Sequence, residues 1–168
     1  LRDNLRLISN AQDVGPLASL VKNSGGVVFV PAFSGLFAPY WDSASRGTIL
    51  GLTQYTSASH IARAALEGVC FQTRAILKAM VNDAGASADF LDESDKHSAD
   101  SPLSALAVDG GMSKSDEVMQ IQSDILGPCV TVKRSPNAEC TALGAAIAAG
   151  ICSGLWSSLT DAVESISK

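Results

Sequence analysis

An apolar run, Leu106-Ala-Val108, ends in Asp109-Gly110-Gly111 and gives way to a helical pattern three or four residues later. This junction constrains the fold more than any other part of the chain. Glycines there let the backbone take positive φ and let a ligand approach with no Cβ in the way. The helix behind them presents unpaired N–H groups and a positive dipole end, which suit a phosphate. A Gly-Gly after a strand is in most proteins only a tight turn. The spacing matches neither G-x-x-x-x-G-K-[ST] nor G-x-G-x-x-G, so a P-loop NTPase and a Rossmann dehydrogenase are both disfavoured.

Hydrophobic residues make up 46% of the 168 and charged residues 17%, so the chain must pack a core. A net charge of −5 argues against a nucleic-acid binder, which needs a basic face. No apolar run is long enough to span a bilayer, and no membrane span is expected. Cys70, Cys129, Cys140 and Cys152 show no C-x-x-C spacing and sit among apolar neighbours. Buried, reduced thiols in a cytoplasmic protein are therefore expected. His60 and His97 lie far apart, and no metal held by side chains is expected. The opening residue is not methionine and the first residues read as mid-helix, so the chain is expected to be a piece of a longer protein.

Periodicity supplies the elements. Leu1, Leu5 and Ile8 predict a helix end, and Val14 to Val21 a short helix. Val27 to Val30, Thr48 to Leu52 and Cys129 to Lys133 predict strands, in addition to the run before Gly110. The loop Pro31–Asp42 carries Phe33, Leu36, Phe37, Tyr40 and Trp41, too apolar for a solvated linker, and is expected to pack onto something. Residues His60 to Val81 predict the clearest helix. Ser57 or Ser59 would cap it, and Ala62, Ala65, Leu66, Val69, Cys70, Thr73, Leu77 and Met80 would form its core stripe. Residues Asn82–Pro102 read as an acidic, serine-rich, mobile insertion without an apolar face.

Lys114 to Leu126 predicts a helix with Val118, Ile121 and Ile125 inward, Ser113 with Asp116 as a capping box, and Gly127-Pro128 as its stop. An alanine-rich helix around Ala142–Ala149 follows. A last helix, Leu159 to Ile166, would bury Leu159, Ala162, Val163 and Ile166. Strands covered by helices define an α/β class.

At this point the residues resemble a known family. Gly47-Thr-Ile-Leu-Gly-Leu52, seven residues, then His60-Ile-Ala-Arg-Ala-Ala-Leu-Glu67 resembles the second signature of the FGGY carbohydrate kinases. The Pro31–Asp42 loop is similar to that of the glycerol-phosphorylating members. So are Val108–Gly111, Gln120–Gly127 and Glu139–Ala146. The likeness runs from Leu1 to about Trp156, interrupted by the acidic insertion.

The resemblance implies a ribonuclease-H-like C-terminal lobe of the actin/Hsp70/hexokinase-type ATPase fold over residues 1–168. It implies transfer of the γ-phosphoryl of MgATP to glycerol by the whole protein, with ATP, Mg and glycerol as ligands; the sequence does not give the oligomeric state, a homo-oligomer being one alternative. Gly110 and Gly111 would approach the phosphates and ribose, and Ser115 would stand where adenine is touched. The family often has Asn at that place, and a hydroxyl has fewer bonding options. The catalytic Asp, the other phosphate loops and the glycerol contacts would precede the residue matching Leu1, so no catalytic or metal-binding residue is assigned here. Asp42 and Asp109 read as structural. The alternatives are another sugar or polyol kinase of the family and a non-enzymatic nucleotide-binding module, which should lack the Gly47–Glu67 signature.

Overall fold

The computed structural model describes residues 1–91, 102–137 and 139–166. They form α1 (Val14–Ala18), β1 (Val28–Val30), β2 (Thr48–Leu50), α2 (Ala58–Asp83), β3 (Ala105–Val108), α3 (Asp116–Leu126), β4 (Thr131–Arg134), α4 (Cys140–Cys152) and α5 (Leu159–Ile166). The chain divides into two compact units. One holds Leu1–Ala107 with Ser115–Lys133, the other Val108–Lys114 with Arg134–Lys168.

In the first unit β1 and β2 pair antiparallel, Phe29 opposite Ile49 and Val28 opposite Leu50. Side chains alternate across a strand. Phe29 thus turns inward with Val27 and Ala64, while Val28 and Leu50 face out. The long helix α2 lies on this pair. Ser57 caps it: the Ser57 N–H donates to His60 Nδ1 at 3.1 Å, so an imidazole takes the place usually held by Glu in a capping box. Its buried stripe is Ala62, Leu66, Cys70, Leu77 and Val81, with Ala18, Val118 and Ile121 packed against the upper part. Met80 is exposed, contrary to the sequence reading, because the helix has turned it away by that point and Val81 takes the inward place.

Two further expectations fail in this unit. Leu1–Ile8 is not helical: Arg6 sits at φ 51° and the Leu7 N–H donates to the Leu1 carbonyl at 3.0 Å. Three apolar residues at helical spacing do not supply enough hydrogen bonds to repay nucleation. The segment after α2 does have an apolar side. Gly85, at φ 79°, ends the helix, then Ala88 and Leu91 are buried, Leu91 among Leu77, Leu126 and Val130. Arg74 donates to the Leu91 carbonyl and holds this turn on α2. The rest of the acidic insertion, residues 92–101, lies outside the described residues.

β3 and β4 make a second two-stranded sheet. The Thr131 N–H donates to Ser104 and the Ser135 N–H to Val108, so the bonds advance in step, as in a parallel pair joined through α3. In the second unit Ala162 is buried on α5, but Leu159, Val163 and Ile166 are exposed, and only Gly150 of α4 is buried. The predicted stripe of α5 therefore has one buried member among the residues described. Gly154, at φ 79°, closes α4, with the Leu155 N–H on the Gly150 carbonyl at 2.8 Å.

Candidate nucleotide site

β3 ends at Val108 and the chain turns sharply through Asp109 and Gly110, the latter at φ 87°. Only a glycine takes that conformation without strain. Gly111 does not share it; it opens a 3₁₀ turn, Gly111–Lys114. Ser113, buried at 5% exposure, closes the turn with two bonds to one atom. Its N–H and its hydroxyl both donate to the Gly110 carbonyl, at 3.2 and 2.8 Å. Ser113 is thus spent within the turn and, contrary to the sequence reading, does not cap α3.

The cap is Ser115, whose hydroxyl accepts from the Val118 N–H at 3.3 Å. That hydroxyl donates its own proton to Glu117 Oε2 at 2.5 Å. Gly15 of α1 lies over both side chains: a Cβ built on it would stand 2.6 Å from Ser115 Oγ and 2.7 Å from Glu117 Oε2. Of the three residues read as nucleotide-binding, Gly110 and Gly111 share one turn in the second unit, while Ser115 begins α3 in the first. A Cβ built on either Gly110 or Gly111 would meet nothing within 4 Å. The turn thus has open space beside both glycines.

Asp42 accepts from the Ala44 N–H at 2.9 Å and from Ser45 Oγ at 2.5 Å, and these bonds, Ser45's foremost, hold its carboxyl below the usual range. It fastens the end of the aromatic loop, where Leu36 and Asp42 exchange backbone bonds of 2.8 and 2.9 Å. Asp109 is exposed at the end of β3. The loop aromatics Phe33, Phe37, Tyr40 and Trp41 are exposed, and Phe33 meets the buried Phe29 edge-to-face with ring centroids 6.2 Å apart. No group of three or more His, Cys, Asp or Glu side chains able to hold a metal occurs among the described residues.

The four cysteines are thiols rather than disulfides, but only Cys70 is buried; Cys129 and Cys140 are half-buried and Cys152 is exposed. Apolar neighbours in sequence did not decide burial on α4, because that helix has most of its surface uncovered. Burial, and then the Glu67 carboxylate, push the Cys70 thiol up to about 11. No helix among the described residues is long and apolar enough to cross a membrane.

A strand, an open glycine turn and a helix thus follow one another in an α/β chain. Residues 1–153 match the C-terminal domain of the FGGY family of carbohydrate kinases, and the chain belongs to that family. It is 67% identical to a glycerol kinase of Saccharomyces cerevisiae over 96% of this chain and 24% of that protein. It is 51% identical to a glycerol kinase of Chloroflexus aurantiacus over 94% of this chain and 28% of that one. The chain thus spans about a quarter of the length of the curated relatives it matches.

Among solved structures, Plasmodium falciparum glycerol kinase with ADP aligns at a TM-score of 0.71 and 39% identity, covering 96% of this chain and 28% of that one. A xylulose kinase from Lactobacillus acidophilus aligns at a TM-score of 0.69 and 24% identity, over 97% of this chain and 30% of that one, which speaks for the fold alone. The fold class is that of the actin/Hsp70/hexokinase-type kinases.

Proposed function

We propose that this chain is the nucleotide-binding part of a kinase that transfers the γ-phosphoryl of ATP to a terminal hydroxyl of glycerol. The observation that carries the reading is the 67% identity with a glycerol kinase over 96% of the chain. The ADP held by the Plasmodium falciparum glycerol kinase supports a nucleotide as ligand. The likeness to a xylulose kinase, at 24% identity, does not favour a sugar as acceptor.

In this reading the Gly110–Gly111 turn lets the phosphates and ribose approach its backbone, since a Cβ at either glycine would project into the open space. Ser113 fixes the turn by holding the Gly110 carbonyl. Preorganised backbone of this kind orients a phosphoryl donor at no reorganisation cost during reaction. Ser115 would serve the base side as an acceptor only, because its proton is given to Glu117. Magnesium, when bound with ATP, would neutralise charge developing on the transferred group. The proposed location is the cytoplasm, and a homo-oligomer is the proposed assembly.

The test is formation of glycerol 3-phosphate by the full-length protein with MgATP, with xylulose and gluconate as competing acceptors. Turnover of glycerol alone supports the reading. Preference for a sugar, or no transfer to glycerol, overturns it.

A further inference from the structure

Beyond the two glycines, the turn carries one cation, Lys114. A 3₁₀ helix has three residues per turn, so side chains at i and i+3 eclipse one another. Gly111 and Lys114 are such a pair, the first and last residues of the Gly111–Lys114 turn. Gly111 contributes no side chain to that face, and a Cβ there would meet nothing within 4 Å. Lys114, at the eclipsed position, is exposed.

The surroundings make its charge unusual. The protein carries a net −5, and Asp109, Asp116 and Glu117 all lie within five residues of Lys114 in sequence. Yet the ion pairs found among the described residues, Arg2–Asp3 and Arg63–Glu67, do not include it. Its ammonium is left available beside an open backbone turn. A lysine there is a mobile point charge on a flexible stem, which suits a phosphate better than a planar acceptor. It also offsets the repulsion that Asp109 would exert on an anion.

We infer that Lys114 binds the phosphates of a nucleoside di- or triphosphate laid against the Gly110–Gly111 turn; the inference rests on the nucleotide reading above. It makes Lys114 a binding residue for the charged end of the ligand and leaves the base to other groups.

Calorimetric titration of the full-length protein with ADP and with adenosine tests this. Lys114→Met keeps the length of the stem and removes the charge; Lys114→Arg keeps the charge. Loss of one charge-assisted bond should weaken ADP about tenfold in Lys114→Met. Adenosine affinity should stay unchanged, which also shows that the variant is folded. Lys114→Arg should bind ADP nearly as the unaltered protein does, and the salt dependence of ADP binding should be less steep in Lys114→Met. Equal ADP affinity in Lys114→Met and the unaltered protein would overturn the inference, as would an equal loss of ADP and adenosine. Failure of the unaltered protein to bind ADP at all would overturn the nucleotide reading itself and the inference with it.

Discussion

A Cβ built on Gly68 of α2 would stand 2.4 Å from the carbonyl oxygen of Phe29 in β1. The helix rests on the strand at that one bare position, and backbone cannot step aside as the end of a side chain can. Gly68→Ala should therefore destabilise the protein by about 2 kcal/mol or more, the cost of overpacking. Gly144, in α4, has open space around it. Gly144→Ala should stabilise by about 0.5–1 kcal/mol through helix propensity. Urea unfolding of both variants checks the contrast; equal effects would mean that α2 does not rest on Phe29.

Leu91 anchors the start of the acidic insertion. It is 5% exposed in a cluster with Leu77, Leu126 and Val130. Leu91→Ala should cost about 2–4 kcal/mol. Replacing residues 92–100 by a short Gly/Ser linker should leave the melting temperature within a few degrees, since loop length costs only about 0.6 kcal/mol per doubling. Thermal unfolding distinguishes them. If Leu91→Ala were tolerated as well as the linker, the insertion would have no anchor at Leu91.

The Cys70 thiol gives stability a defined pH dependence. Its proton is held to about 11 in the folded protein against an ordinary value of 9.0. The folded value is the higher, so the contribution is complete below about pH 9 and is lost as pH rises to 11. Unfolding free energy should fall across that window, and fall less in Cys70→Ala. At neutral pH a thiol reagent should modify exposed Cys152 in the native protein and reach Cys70 only after unfolding. Fast native modification of Cys70 would contradict its burial.

Much of this was legible from residue patterns, and the misses in burial share one cause. The body of α2 and the Gly127 stop of α3 follow from local chemistry, apolar spacing and a glycine at φ 75°. Burial depends on what lies opposite, which no local pattern contains. Met80, Cys152 and, on α5, Leu159, Val163 and Ile166 are exposed although the sequence reads them as buried. Likewise Ser113 and Ser115 offer the same hydroxyl two residues apart. The Gly110 carbonyl takes the first, and the cap falls to the second. In the candidate site, the two glycines could be read but not their division of labour, with positive φ at Gly110 and open space at both.

That division makes Gly111→Val the most direct test of the central claim, that this turn faces the nucleotide. Gly111 needs no positive φ and has no neighbour within 4 Å of a Cβ, so the variant should fold. A branched side chain would then project into the space assigned to the phosphates. In the full-length protein, the KM for ATP should rise at least about tenfold, equivalent to roughly 1.4 kcal/mol, with the KM for glycerol little changed. Circular dichroism accompanies the kinetics to establish that the variant is folded. A folded Gly111→Val protein with unaltered ATP kinetics would contradict the placement of the Gly110–Gly111 turn in the nucleotide site.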